Sequence, residues 1–187
     1  MRVIAGTAKG RLLEAPKGMS TRPTLAKVKE AVFGMIQFDV PYANVLDLFA
    51  GSGALGIEAL SRGAKSAVFC DADRQAVTVV KANLKRLGFE RNARVFCGDA
   101  IAMLSTLAGE QFDIVLLDPP YSSDLASRAC AALAEYELLS EDAVIICEHS
   151  RDNPPVLSSP CYTAREARKY GDCYITHITY NKERRIL

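Results

Sequence analysis

The sequence predicts an α/β fold with a mostly parallel, seven-stranded sheet that is covered by helices on both faces. Three observations predict it. From about residue 45 onward, short apolar runs alternate with longer stretches of helical periodicity, an order that is typical of parallel sheets. The first run leads into the glycine turn Gly51-x-Gly53-x-x-Gly56 and then into a helix. The tail at 163–181 alternates like two strands around Gly171 and Asp172, which predicts an antiparallel hairpin at one edge.

The individual elements follow from local pattern. Glycines and alternation at the amino end indicate a β-hairpin, with strands near 2–5 and 11–14, and an apolar stripe indicates a helix at about 24–37. Five parallel strands are predicted near 45–50, 67–71, 93–97, 112–118 and 143–148. The helices between them are predicted near 54–62, 73–87, 100–107 and 123–136.

The net charge of +1 conceals an asymmetry along the chain. Residues 1–38 contain seven Lys and Arg against two acids, residues 39–150 nine against sixteen, and residues 151–187 seven against four. An acidic sheet with a basic amino-terminal arm is typical of a protein that binds a cofactor in one part and phosphates with another. The alternative is a solvated basic hairpin without a partner. We predict one domain over 1–187, of which 1–38 form a basic hairpin-helix extension.

The glycine turn and the acids beside it predict a nucleotide-like cofactor. Glycines let the backbone approach a ligand closely, and the helix that follows presents unpaired N–H groups. Asp71 stands twenty residues after Gly51, at the end of the next strand, where a carboxylate accepts hydrogen bonds from ribose hydroxyls. A nicotinamide-dependent oxidoreductase would share these features. Asp47, inside the first strand, favours S-adenosylmethionine, because a carboxylate there repels a pyrophosphate and attracts a cationic group.

A further carboxylate follows the third strand, in Gly98-Asp99-Ala100. Since the carboxyl ends of parallel strands meet at one edge of a sheet, we expect Asp99 to lie near Asp71 and to accept a hydrogen bond from an adenine amino group. Each of these acids also precedes a helical stretch, so helix capping is the alternative role. We assign that role to Asp73.

The apolar run at 112–117 ends in Asp118-Pro119-Pro120-Tyr121, the most informative pattern of the chain. Proline fixes its own φ at about −65° and restricts the residue before it, so the turn is stiff. An aspartate oxygen and a proline carbonyl are acceptors that suit an exocyclic amino group of a nucleobase, and Tyr121 offers a ring for stacking. The alternative is an ordinary turn at the end of a strand.

Taken together, these motifs resemble those of the amino methyltransferases. The opening Arg2-Val-Ile-Ala-Gly-Thr-Ala-Lys-Gly-Arg, with Thr21-Arg-Pro-Thr24 and the segment 28–33, is similar to the RsmD-type enzymes, which methylate N2 of a guanine in small-subunit (16S) ribosomal RNA. The resemblance covers residues 1 to about 178. It implies the class I S-adenosylmethionine-dependent methyltransferase fold, which is Rossmann-like, and ribosomal RNA in a partly or fully assembled small subunit as partner. Asp71 departs from the family, in which glutamate is more frequent.

The resemblance also implies roles for individual residues. It assigns catalysis to Asp118, Pro119, Pro120 and Tyr121. It assigns binding of S-adenosylmethionine to Asp47, Phe49, Ala50, Gly51, Gly53, Asp71, Ala72, Gly98, Asp99 and Ala100. It assigns RNA binding to Arg2, Lys9, Arg11, Arg22, Thr24 and Lys27. Two alternatives remain: an N6-adenine methyltransferase acting on DNA or RNA, which uses the same tetrapeptide, and a non-catalytic RNA-binding subunit.

Other features of the composition limit the functional class. The six cysteines form no C-x-x-C pair and no cluster with histidine, so we expect small buried thiols and no metal site. No stretch approaches the roughly 20 apolar residues of a membrane span, and no secretory signal is present. We expect a cytoplasmic monomer. His149, after the fifth strand, is a possible polar neighbour of the site, but a histidine without a catalytic role is the favoured interpretation, as for His177.

Overall fold

A mixed β-sheet forms the centre of the protein in the computed structural model, which describes residues 1–16 and 23–186. Its strands are β1 (Asn44–Leu48), β2 (Ser66–Asp71), β3 (Ala93–Cys97), β4 (Phe112–Leu117), β5 (Leu139–His149), β6 (Tyr162–Ala164), β7 (Arg168–Tyr170) and β8 (Cys173–Tyr180). The strand order is β3-β2-β1-β4-β5-β8-β6, and β7 also pairs with β8. Strands β1 to β5 are parallel, whereas β8 is antiparallel to β5, β6 and β7.

Helices cover both faces of the sheet, as predicted. They are α1 (Pro23–Met35), α2 (Ala54–Ser61), α3 (Arg74–Leu87), α4 (Ala100–Leu104) and α5 (Leu125–Glu135). Because strand side chains alternate between faces, Val45 packs in one core with α1, α2 and α3, and Leu46 packs in the other with α4 and α5. Among the described residues, no helix combines the length and the apolar character needed to cross a bilayer.

The parallel strands and the helices agree with their predicted positions to within two residues, apart from two elements. Strand β5 begins at Leu139, four residues before the predicted start. The helix predicted at 100–107 is α-helical only to Leu104 and continues as a 3₁₀ turn over Ser105–Leu107.

The predicted amino-terminal hairpin strands were too long. The arm, which we define as residues 1–16, contains a single bridge between Arg2 and Leu12. The N–H groups of Ile4 and Ala5 are not available for a strand partner, because they donate to the carboxylate of Glu58 on α2 at 2.8 and 2.9 Å. The arm therefore folds against α2 instead of extending as a regular hairpin.

The antiparallel edge hairpin is present, but its outer strand is broken. The first of the two strands predicted in the tail at 163–181 is replaced by β6 and β7, which pair with the two ends of β8. The prediction that the cysteines are buried is wrong for Cys97. This thiol is exposed, because β3 is an edge strand of the sheet and is only partly covered.

Candidate active site

Acidic side chains come together at the carboxyl ends of the parallel strands. Leu48 pairs with Cys70 on β2 and with Leu117 on β4, and Leu117 pairs with Cys147 on β5. The residues that follow these four therefore leave the sheet side by side. They are Phe49, Asp71, Asp118 and Glu148.

Asp71 fixes the shape of the glycine loop. Its Oδ2 accepts a hydrogen bond from the N–H of Gly51 at 2.7 Å, and its Oδ1 accepts one from the N–H of Asp73 at 2.8 Å. The backbone is left-handed at Gly51 (φ 54°) and also at Phe49 (φ 66°). A side chain in that region is strained, and such strain is concentrated at ligand sites. Asp71, at the end of β2, thus holds the glycine loop in one conformation.

Asp47 is buried beneath this loop, with only 2% of its surface exposed. Its Oδ2 accepts a hydrogen bond from the N–H of Gly56 at 2.8 Å, in the first turn of α2. Burial raises the pKa of Asp47 to about 8; the bond from Gly56 opposes this, and Asp118 and Asp71 add to it. A cation bound nearby would stabilise the ionised form of Asp47.

Two cavities meet at Phe49 and Asp118, which line both of them. The larger cavity, of about 530 Å³, lies at the ends of β2, β3 and β4 and is lined in addition by Asp71, Ala72, Asp99, Ala100, Pro119, Pro120, Tyr121 and Leu125. The smaller cavity, of about 200 Å³, lies between the glycine loop and α1, and its lining includes Asp47, Ala50, Gly51, Lys29 and Glu148. Eight of the ten residues predicted to bind cofactor thus line these two cavities.

The other two predicted cofactor residues, Gly53 and Gly98, line neither cavity. Gly53 begins α2 with φ 76°, and a Cβ there would lie 3.2 Å from Ile57, tighter than ordinary contact. Gly98 donates its N–H to the carbonyl of Asp71 at 3.0 Å. Both shape the loops beside the cleft.

Asp99 caps a helix and lies at the edge of the cleft, and its predicted contact with adenine stays a prediction. Its Oδ1 accepts a hydrogen bond from the N–H of Ala102 at 2.8 Å, which caps α4, while the residue also lines the larger cavity. Asp73 caps α3 by accepting from the N–H of Gln75 at 2.8 Å, as predicted.

The turn after β4 is held from both sides. The carbonyl of Pro120 accepts from the hydroxyl of Ser123 at 2.6 Å, and the carbonyl of Tyr121 accepts from Asn153 at 2.9 Å. Asp118 is largely withdrawn from solvent, and burial raises its pKa to about 7, with a further contribution from the Glu148 carboxylate. The turn therefore presents a carboxyl group that changes protonation state near neutral pH.

Glu148 is a residue that the sequence analysis did not identify. It accepts a hydrogen bond from the hydroxyl of Tyr121 and lines the smaller cavity with Asp118. The available signal was its position: it follows an apolar run at the end of a parallel strand, as Asp71 and Asp118 do. The residue predicted as a possible polar neighbour of the site was the next one, His149.

His149 faces away from the cavities. Its Nδ1 is 2.7 Å from the carbonyl of Ser150, and its Nε2 is 2.8 Å from the hydroxyl of Thr176. Because a carbonyl only accepts, Nδ1 carries a proton and donates it to the carbonyl of Ser150. The buried ring therefore links β5 to β8, in line with the interpretation that it has no catalytic role.

The residues predicted to bind RNA lie partly on the surface of the arm. Lys9, Arg11 and Lys27 are exposed, and so is Arg2, whose guanidinium donates to the carbonyl of Gly10 at 3.1 Å. Arg11 donates to the carbonyl of Arg86 on α3 at 3.1 Å. The structure does not describe Arg22, and of Thr24 it describes only the backbone, in α1.

Buried polar groups attach the arm to the sheet domain, and sequence reasoning missed them. Glu58 is fully buried and, besides the two arm N–H groups, contacts Lys29 Nζ and Arg62 Nε, each at 2.9 Å. Asn83 on α3 donates to the carbonyls of Glu14 in the arm and Ser52 in the glycine loop, both at 3.0 Å. The arm and the glycine loop are therefore fixed to the same side chain, that of Asn83.

Comparison with known proteins identifies the family. A family model described as "Conserved hypothetical protein 95" matches residues 1–179. The chain belongs to this family.

Within the described residues, no group of three or more His, Cys, Asp and Glu side chains is arranged to hold a metal ion.

Relatives of this family member carry informative names. The chain is 46% identical over 154 residues to the Bacillus subtilis (strain 168) protein named "Putative rRNA methyltransferase YlbH". This match covers 81% of this chain and 84% of that protein. It is 36% identical over 156 residues to "Ribosomal RNA small subunit methyltransferase D" of Haemophilus influenzae, with 82% and 81% covered. The resemblance to the RsmD-type family is therefore confirmed.

Solved structures agree on the fold. The structure titled "Putative methyltransferase yhhF from Escherichia coli" superposes with a TM-score of 0.86 at 30% identity, over 97% of this chain and 98% of that one. The O-methyltransferase from Bacillus cereus in complex with SAH superposes with a TM-score of 0.63 at 16% identity, over 87% and 83%, which shows a common fold alone. The predicted class I, Rossmann-like methyltransferase fold is confirmed.

Proposed function

We propose that this chain transfers the methyl group of S-adenosylmethionine to the exocyclic N2 amino group of a guanine in small-subunit (16S) ribosomal RNA. One observation carries the proposal: Asp118 lies where the two cavities meet, so a methyl donor in the cleft and an amino group held at the turn would share one carboxylate. The Haemophilus influenzae and Escherichia coli relatives named Ribosomal RNA small subunit methyltransferase D support this choice of substrate.

The side chains of the cleft fit the chemistry of the cofactor. Asp47 would pair with the ammonium of the methionine part, and Lys29, which lines the same cavity, would attract its carboxylate. Asp71 would accept from the ribose hydroxyls with the lone pairs that Gly51 and Asp73 do not use. Asp99 would accept from the adenine amino group. Each charged or polar part of the cofactor then faces a complementary group.

Catalysis would depend mainly on positioning. The cofactor supplies an electrophilic methyl carbon on a sulfonium that leaves as a neutral thioether. Ionised Asp118 accepts a hydrogen bond from the base NH2, and this orients the nitrogen toward the methyl carbon. Holding two reactants at near-attack distance contributes on the order of 7 to 11 kcal/mol. The methylated nitrogen must also lose a proton, and Asp118, with a pKa of about 7, is suited to accept it.

The tyrosine of the turn would stack on the target base. Tyr121 is 39% exposed, and its hydroxyl is held by Glu148, so the ring is available to a ligand but fixed in direction. A paired base inside an RNA helix is out of reach of such a ring, so the target guanine must be unpaired or flipped.

RNA would contact the basic arm. Met1 and Ala15, near the two ends of the arm, line the smaller cavity, so a strand that reaches the turn passes the arm. Lys9, Arg11 and Lys27 then meet its phosphates. The family resemblance also assigns RNA binding to Arg2, Arg22 and Thr24, of which Arg22 and the side chain of Thr24 lie outside the described part of the chain.

The alternative acceptor is N6 of adenine in DNA or RNA, because the same carboxylate and proline carbonyl would hold it. The names of the relatives favour ribosomal RNA over DNA. We further propose that the enzyme acts as a monomer, without a metal, on a partly or fully assembled small subunit in the cytoplasm.

The decisive experiment is transfer of a labelled methyl group to naked 16S ribosomal RNA and to partly assembled small subunits from cells that lack the activity. Nucleoside mass spectrometry of the product should give N2-methylguanosine at one mapped position. Label in N6-methyladenosine would select the alternative, and no label in any RNA would refute the proposal. Comparison of the two substrates decides whether subunit assembly is required.

A further inference from the structure

A third cavity lies on the α1 face of the sheet, away from the cleft. It measures about 360 Å³ and is bounded by Ala31, Gly34 and Met35 of α1, by Arg168 of β7 and His177 of β8, and by Arg165 in the loop between β6 and β7. Helix α1 connects it to the cleft, because its earlier residues Val28 and Lys29 line the smaller active-site cavity. No role in the proposed reaction accounts for this basic lining.

The two arginines are available to a ligand. Within the described part of the chain, neither Arg165 nor Arg168 forms an ion pair, whereas four other arginines pair with Asp or Glu. Glu166 also lines the cavity, so that the lining has two guanidinium groups against one carboxylate. Two unpaired guanidinium groups at one concave surface favour an anion.

His177 adds a buried polar group to the same cavity. It is only 6% exposed, and its Nδ1 has no hydrogen-bond partner among the described residues. Burial lowers the pKa of His177; Arg165 and Arg168 lower it further, while Asp39 opposes them. The ring is therefore neutral at neutral pH, and it carries one N–H donor. Buried polar atoms are rarely left unpaired.

We propose that this cavity, bounded by Arg165, Arg168, His177 and the end of α1, binds a phosphate group. Guanidinium groups match the geometry of phosphate oxygens bidentately. The inference rests in part on the proposed function, since a strand of RNA held at the cleft is one source of that phosphate. A free phosphate compound is the other source.

Inorganic phosphate tests the cavity without RNA. Titrated into the full chain and followed by NMR, it should shift the amide of Gly34 and the ring of His177. The double variant Arg165→Gln/Arg168→Gln should weaken this binding roughly tenfold or more, the effect of losing charge-assisted bonds. Glu166→Gln should tighten it, because the opposing charge is gone. Arg91→Gln, which removes an exposed arginine on the opposite edge of the sheet, should leave it unchanged.

A salt series with 16S RNA distinguishes the two sources. If the phosphate belongs to RNA, the double variant should reduce the magnitude of the negative slope of log K against log salt by about 0.7 to 0.9 for each lost contact. Gly34 offers a second variant, since a Cβ there meets nothing within 4 Å: Gly34→Glu should weaken RNA binding and Gly34→Ala should not. Phosphate binding with unchanged RNA binding would assign the cavity to a free phosphate compound.

The two proposals fail separately. If the wild-type chain methylates no RNA, the proposed function is refuted, while the phosphate titration still decides the role of the cavity. If inorganic phosphate shifts neither Gly34 nor His177 and the double variant binds RNA normally, the phosphate site is refuted, whatever the methylation assay gives.

Discussion

The hydroxyl of Tyr121 donates a hydrogen bond to the carboxylate of Glu148, which joins the turn after β4 to the end of β5. Burial is the main cause of the raised pKa of Asp118, and the nearby Glu148 carboxylate raises this pKa further. One side chain thus orients the aromatic ring proposed to stack on the base and tunes the carboxylate proposed to hold its amine.

Replacing Glu148 with Gln should move the acidic limb of the kcat–pH profile to lower pH. The amide can still accept from Tyr121, but it lacks the charge that raises the pKa of Asp118, so Asp118 ionises at lower pH. Methyl transfer measured from about pH 5 to pH 9 checks this. Glu141→Gln, at the exposed start of β5, is the matched control and should leave the profile unchanged. An unshifted Glu148→Gln profile would mean that Asp118 does not govern the rate.

Asp118→Asn should reduce the rate of methyl transfer about 10²- to 10⁴-fold, which is the typical contribution of a positioned proton acceptor. The affinity for the cofactor should change little. The amide has nearly the shape of the carboxyl group, but it cannot take the proton of the attacking amine. Single-turnover kinetics and calorimetry with S-adenosylmethionine measure the two effects separately. Equal losses in rate and in cofactor affinity would indicate a collapsed cleft and contradict the assigned role.

Asp71→Ala should weaken cofactor binding by about 1 to 3 kcal/mol, because the variant loses the ribose acceptor and leaves the N–H of Gly51 without its partner. Asp73→Ala is the control: it removes the cap of α3, at a cost of about 1 kcal/mol in stability, without touching the cleft. Calorimetry and urea unfolding of both variants separate affinity from stability. Unchanged affinity in a folded Asp71→Ala protein would exclude a cofactor contact.

The parts of the site that the sequence predicted are those that topology forces together. Asp71 ends a parallel strand, and Asp99 and Asp118 follow the ends of two others within two residues, so any sheet built from these runs brings the three to one edge. Asp73 was identified as a cap from its position before a helical stretch, and the structure agrees. Local pattern and parallel topology were sufficient to predict that the three acids lie at one edge of the sheet and that Asp73 caps a helix.

The residues that were missed depend on tertiary contacts. Glu58 resembles an ordinary helix acid until the arm folds onto α2, although a lone acid within the apolar stretch Ala54–Ser61 was a signal. Glu148 was detectable by alternation, since it lies on the same face of β5 as Val144 and Ile146. The hairpin was overpredicted because the pattern of glycines cannot reveal that Glu58 takes the N–H groups of Ile4 and Ala5.

The cofactor-free protein should lose stability as the pH rises. Burial raises the pKa of Asp47 to about 8 and of Asp118 to about 7, so the folded state keeps protons that the unfolded chain has released. The contribution of these groups is fully present below about pH 4 and is lost as the pH rises through 7 and 8. Urea unfolding across this range measures it. Asp47→Asn should flatten the curve, and equal slopes in the two proteins would contradict the raised pKa.

Neutralising the arm should weaken RNA binding without affecting the cofactor. Lys9→Gln with Arg11→Gln removes two exposed charges, so the magnitude of the negative slope of log K against log salt should fall by about one to two. Affinity for S-adenosylmethionine should stay constant, because neither residue lines the cleft cavities. Filter binding over a salt series, with calorimetry in parallel, measures both quantities.

The control for this variant must account for the bond from Arg11 to the carbonyl of Arg86. Lys81→Gln removes one exposed charge on α3, where the lysine forms no hydrogen bond or ion pair with the described residues, and urea unfolding of all variants reports any loosening of the arm. A shallower slope of log K against log salt at unchanged stability would assign the weaker RNA binding to lost phosphate contacts. If the arm variant binds and methylates RNA like the wild type at every salt concentration, the arm is only a solvated segment, and the RNA must bind at another surface.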